Sequence, residues 1–158
     1  MIGLVLVTHG PLGNALRDAA EHVVGPQTQL ACVSIDATDD PERRHADLAQ
    51  ALGEVDTGDG ALLLTDMFGS TPANLALSFR DGTHVEVLSG VNVPMLVKLA
   101  KARPLCGFAD CIDRAIAAGR KYLHAACDVP ESCLAGARPY REHMLRAASP
   151  PHSDQGCC

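Results

Sequence analysis

Three short stretches carry the side chains able to do chemistry: Thr8-His9-Gly10, the run from Asp66 through Met67-Phe68-Gly69-Ser70-Thr71-Pro72-Ala73 to Asn74, and Ser89-Gly90-Val91-Asn92-Val93-Pro94. His9 brings an imidazole, which can act as a base or nucleophile near neutral pH. A carboxylate that accepts one ring N–H selects the tautomer and leaves the lone pair of the other nitrogen free. Asp66 is the candidate for that task. Ser70 and Thr71 add hydroxyl donors, and Gly69-Ser70-Thr71-Pro72 has the composition of a capped helix start, where N–H groups and the helix dipole favour an anion. Pro72 has no N–H, so Ser70, Thr71 and Ala73 are the backbone donors to consider. Such a set suits a histidine that receives a phosphoryl group, with no metal and no cofactor of its own. Each piece also has a plainer reading. A histidine closing a strand is often structural, Gly-Ser-Thr-Pro can be an ordinary helix start, and an aspartate after a strand is often a cap.

These residues need elements that bring them together. Apolar runs predict strands over about residues 2–7, 30–35, 61–65 and 84–88. Helices are expected over 12–24, 41–52, 72–79, 94–102 and 108–118, the first with Leu12, Leu16, Ala19 and Val23 along one stripe. Gly25-Pro26 ends that helix, Asp40 and Pro41 are N-cap and N1 of the second, and Thr71 is the expected N-cap of the third. The strand–helix alternation implies an α/β fold: a three-layer, open, mainly parallel sheet with helices on both faces. In strand order 2-1-3-4 the first and third strands are neighbours, and His9 and Asp66 meet at the switch point between them.

Composition narrows the partners. The formal charge is −6, with residues 1–97 at −9 and 98–158 at +3. An acidic body and the absence of Trp argue against nucleic acid and anionic membrane as partners. No basic leader precedes the first strand and no apolar run approaches about 18–20 residues, so a cytoplasmic protein is expected. Seven cysteines, an odd number without CxxC spacing, read as thiols rather than as a disulfide framework or a zinc site. Residues 1–127 are expected to form the domain. From 128 to 158 the sequence turns irregular and reads as a partly disordered extension, with a short helix possible over 140–147 and a mobile tail beyond.

The strand-Thr8-His9-Gly10 element, the Asp66 to Asn74 run and Ser89-Gly90-Val91-Asn92-Val93-Pro94-Met95-Leu96 together resemble the mannose-family IIA domain of the bacterial phosphoenolpyruvate-dependent sugar phosphotransferase system (PTS). The resemblance covers about residues 1–126. It implies a phosphoryl carrier: His9 would accept a phosphoryl group on Nε2 from the phosphocarrier HPr and pass it to a IIB component during sugar uptake. Asp66 would orient His9 through Nδ1. Thr8, Gly10, Gly69, Ser70 and Thr71 would hold the phosphoryl group, while Phe68, Asn74, Asn92 and Pro94 would face partners or support the loops. The resemblance also implies a homodimer that exchanges a C-terminal antiparallel strand, here about residues 120–126, which by residue pattern reads as the end of a helix. It further implies membrane association only through the transporter. No IIB-like stretch follows in this sequence, so IIB is expected on a separate chain. One departure stands out: the family commonly has two glycines in the second motif, and Ser70 takes the second place.

A regulatory IIA protein without a dedicated transporter is a close alternative. A chelatase-like metal-inserting enzyme also places His-Gly after its first strand, but it would want further His or Glu ligands at the site, and His84 falls at the other end of the sheet. Histidine phosphatases place an Arg before the histidine, where this chain has Thr8. A pure binding module would leave the Asp66 to Asn74 loop unexplained.

Overall fold

A computed structural model of the chain describes residues 1–137 together with 139–140 and 143–144. The chain divides into two compact units, Met1–Tyr122 and Leu123–Cys158. In the first, the order is β1 (Gly3–His9), α1 (Leu12–Val24), β2 (Leu30–Ile35), α2 (Pro41–Val55), β3 (Ala61–Thr65), α3 (Thr71–Leu77), β4 (Val85–Ser89), α4 (Val93–Ala102) and α5 (Phe108–Lys121). All strand pairs are parallel and the sheet order is β2-β1-β3-β4, as expected.

Period-two alternation along the strands feeds two cores. Leu4, Leu6, Leu62 and Leu64 point to one face, where Ala20 of α1, Leu96 and Leu99 of α4 and Ala115 of α5 cover them. Val5, Val7 and Leu63 point to the other, under Leu48 and Val55 of α2 and Ala76 of α3. β1 and β3 are buried on both sides, which is why they read as unbroken apolar runs. Gly3 allows close approach of α2: a Cβ there would lie 2.7 Å from Val55 atoms.

The amino edge of the sheet is held by an arginine that the sequence reading passed over. Arg103, 2% exposed, donates to the carbonyls of Ile2 (3.1 Å), Gln29 (3.0 Å) and Thr28 (2.6 Å) and to Gln27 Oε1 (3.2 Å). Burial pushes this guanidinium below its usual range, and the carbonyl dipoles take the place of a carboxylate partner.

Several boundaries move. β1 runs on through His9, so the histidine is the last strand residue rather than the first of the loop. α2 extends to Val55. The N-cap of α3 is Ser70 instead of Thr71; both residue types cap well, and Ser70 Oγ accepts the Ala73 N–H at 3.4 Å. Residues 120–126 form no strand. Arg120 and Lys121 are the last turn of α5, where cations suit the helix dipole, and Ala126–Asp128 is a 3-10 turn. In the second unit that turn and a 3-10 stretch over Glu131–Ala137 make up the longer described elements, and no described residue there is buried. Most of the expected 140–147 helix and the tail beyond lie outside the described residues.

Candidate functional site

The site lies at the carboxyl edge, where β1 outruns β3. Val7 pairs with Thr65, so His9 stands two residues past the last β1–β3 partner and Asp66 one residue past it. That offset brings the two side chains together. His9 Nδ1–H donates to Asp66 Oδ2 at 2.9 Å, and the His9 backbone N–H donates to the same oxygen at 2.9 Å. The Met67 N–H donates to Asp66 Oδ1 at 2.8 Å. Burial by itself would raise the Asp66 carboxyl, but the three hydrogen bonds and the charge of the imidazole outweigh it and hold the group below the usual carboxylate range. Asp66 is therefore ionised and can only accept, so the shared proton belongs to Nδ1 of His9 and the Nε2 lone pair is left available. The exposures agree with this division of labour: the Asp66 side chain is 11% exposed and that of His9 52%.

His9 and Thr71 line one cavity of about 300 Å³. Thr71 is exposed there, with its hydroxyl unclaimed by capping because Ser70 performs that role. Gly69 has φ +79°, a conformation that lets the loop turn from Asp66 into α3 without a side chain in the way. Phe68 and Met67 project from the same loop, 76% and 60% exposed.

Other expected site residues serve the scaffold. Thr8 is fully buried, and its Oγ1 accepts the Gly13 N–H at 2.7 Å, closing the first turn of α1. It cannot reach an anion on the far side of His9, because neighbouring strand residues point to opposite faces. The Gly10 N–H is taken by the Ile35 carbonyl at 3.0 Å, and Gly10 (φ +47°) makes the turn into α1. Ser70 is likewise committed: its hydroxyl donates to the Met67 carbonyl at 2.7 Å. Asn92 caps α4 by accepting the Met95 N–H (3.0 Å) and ties it to α5 by donating to the Gly119 carbonyl (3.0 Å). Pro94 lines a groove between α4 and α5, away from His9. Asn74 is exposed on α3.

The structure adds residues that sequence reasoning missed. Asp36, Asp39 and Arg44, from the β2–α2 loop and the first turns of α2, line the His9 cavity. The signal was present: β2 neighbours β1, so the loop at its carboxyl end must flank His9. The three stretches whose residue types suggest chemistry all close or follow the other three strands. The five cysteines among the described residues are unpaired; burial pushes the Cys111 thiol up to about 12, leaving it inert. Among the described residues no group of three or more His, Cys, Asp or Glu side chains is placed to hold a metal ion, and no helix is long and apolar enough to cross a membrane.

Known proteins identify the family. The model of the family described as "PTS system fructose IIA component" matches residues 3–116. The mannose-specific EIIAB component of Escherichia coli (strain K12) is 34% identical over 103 residues, 65% of this chain and 32% of the relative. The chain thus spans about a third of the length of that relative. The fructose-specific EIIA component of Bacillus subtilis (strain 168) is 24% identical over 92% of this chain and 100% of its own. Among solved structures, the mannose/sorbose-specific IIA subunit of Enterococcus faecalis superposes with a TM-score of 0.70 at 27% identity, covering 82% of this chain and 96% of that one. EIIA from Streptococcus agalactiae shares the fold with a TM-score of 0.74 at 22% identity, covering 82% and 100%. With that family model covering most of its length, this chain belongs to the PTS fructose IIA component family.

Proposed function

We propose that this protein is a phosphoryl carrier of a sugar PTS, with His9 as the phosphorylated residue. The observation that carries the reading is the His9 Nδ1–H bond to an ionised Asp66, with Nε2 free beside a cavity. In the forward step the Nε2 lone pair attacks the phosphorus of phospho-HPr. The new N–P bond forms as the donor's N–P bond breaks, and the donor nitrogen keeps that electron pair. The imidazole gains positive character as it does so, and Asp66, ionised at its Nδ1 side, stabilises it. The same step in reverse sense, with a IIB component as acceptor, discharges the group. No metal is required, since the donor is already an activated phosphohistidine.

Thr71 is the hydroxyl best placed to donate to the phosphoryl oxygens. Met67 and Phe68, on the loop after Asp66, and Leu12, at the start of α1, are exposed apolar side chains on the two segments that follow β3 and β1, and they suit docking of a folded partner. HPr is a cytoplasmic phosphocarrier, so the reaction belongs to that compartment, with the membrane reached through the transporter. The experiment is direct. The protein is incubated with phosphoenolpyruvate, enzyme I and HPr, and tested for acid-labile, alkali-stable phosphate. Label on the wild type and none on His9→Ala is expected; label that survives His9→Ala overturns the assignment.

A further inference from the structure

We infer that Arg44, through its charge at the cavity it shares with His9, sets how readily His9 holds the phosphoryl group. The inference rests on the phosphoryl-carrier reading and goes beyond it by naming a charge balance at the site. Four ionisable side chains line the His9 cavity: His9, Asp36, Asp39 and Arg44. Arg44 is the one permanent cation among the residues lining it. The Asp36 carboxylate lies against the turn after His9, with Oδ1 3.8 Å from the point a Cβ on Gly10 would occupy.

Arg44 is held rather than mobile. Its Nη1 donates to the Ser34 carbonyl (3.4 Å) and pairs with Asp47 (3.2 Å), and its side chain is only 20% exposed. Its Nε lies 3.7 Å from Asp39 Oδ2 and is buried with no hydrogen-bond acceptor. The guanidinium is therefore fixed in a partly desolvated place with donor capacity unspent. Asp39 is fixed in turn, because its Oδ2 accepts the Asp36 N–H at 2.7 Å.

Unphosphorylated, the cavity already carries two carboxylates against one guanidinium, and the Asp66 carboxylate stands beside His9. Phosphorylation brings a further anionic group into that field. In a concave, half-dry site such charges act at an effective dielectric well below that of water. Without Arg44 no permanent cation would line the cavity opposite Asp36, Asp39 and the added charge. Arg44 thus favours the phosphorylated state and lowers its tendency to give the group up, while Asp36 does the reverse.

The test is the equilibrium between His9 and excess phospho-HPr and HPr at a fixed ratio, read as the fraction of phospho-His9. Arg44→Gln should lower the equilibrium constant by on the order of tenfold. Arg44→Lys should restore most of it, Asp36→Asn should raise it several-fold, and high salt should shrink both shifts. A purely structural role would not move Arg44→Gln and Asp36→Asn in opposite directions. Equal values for wild type and Arg44→Gln, or shifts of the same sign in both variants, overturn the proposal. If Arg44→Gln loses its circular dichroism melt, the Asp36→Asn shift and its salt dependence decide alone. Wild type that takes no label at all overturns the carrier reading instead, and is recognised because every variant is then equally blank.

Discussion

The sheet carries a histidine–aspartate pair at each of its edges. At the carboxyl edge His9 bonds Asp66 at 2.9 Å; at the amino edge His84 bonds Asp56 at 2.8 Å. The histidine side chains are 52% and 47% exposed, and both aspartates are held below the usual carboxylate range. Distance, exposure and charge therefore do not separate the two. The ring nitrogen does. His9 spends Nδ1 and leaves Nε2, the nitrogen farther from the backbone, whereas His84 spends Nε2. Surroundings separate them as well. His9 opens on a cavity with Thr71 and Arg44. Asp56 instead accepts the Gly58 and Gly60 N–H groups (2.9 and 3.2 Å), and the His84 backbone N–H is bound to Asp81. One pair leaves a ring nitrogen free at a cavity, and the other braces the turn between α2 and β3. An imidazole–carboxylate contact is thus not a site until the free nitrogen faces room and a charge partner.

The comparison breaks most sharply on removal of the rings. His9→Ala should abolish phosphorylation by HPr while His84→Ala leaves it intact; labelling that needs His84 would invert the assignment. Next in size is Asp66→Asn. It should slow transfer by at least about tenfold, since an amide does not hold the tautomer or stabilise a charged ring as a carboxylate does. Asp56→Asn should leave the transfer rate alone and lower the melting temperature, as measured by stopped-flow transfer and calorimetry. Thr71→Ala should cost a smaller, few-fold amount in transfer, in keeping with loss of one neutral hydrogen bond of about 1 kcal/mol.

The smallest effect concerns pH. Both aspartates have folded pKa values below the unfolded one, so each contributes stability that is present above the ordinary carboxylate range and is lost as pH falls through the folded pKa. Asp66→Asn and Asp56→Asn should each flatten the acid limb of a stability–pH curve followed by urea unfolding. A curve as steep as wild type in either variant would show that its carboxylate has no net stabilising role.

Much of this was legible in the chain. Leu4 to Val7 and Ala61 to Leu64 could only be strands buried on both faces, and a parallel order of 2-1-3-4 then placed His9 beside Asp66. What failed did so for local reasons. Ser70 and Thr71 are both good caps, and sequence cannot choose between them; once Ser70 takes the cap, Thr71 is the hydroxyl left free. Thr8 looked like a ligand because it adjoins His9, but alternation turns it into the core. Strand order already put the loop after β2 beside His9, but which of its side chains line the cavity, Asp36, Asp39 and Arg44, depends on how the loop and α2 fold back.

Hydrophobic pattern, caps and turn residues are properties of neighbours along the chain, and by themselves they determined the elements and the sheet class and put His9 at the carboxyl end of β1. Which groups share a cavity is a property of distance through space. Only the tertiary structure decided that His9 keeps Nε2 free, that Thr8, Gly10 and Ser70 are already spent on the scaffold, and that Arg44 faces the carboxylates at the site. Hydrogen-bond capacity and charge are settled by every group within reach, and a sequence does not say which groups those are.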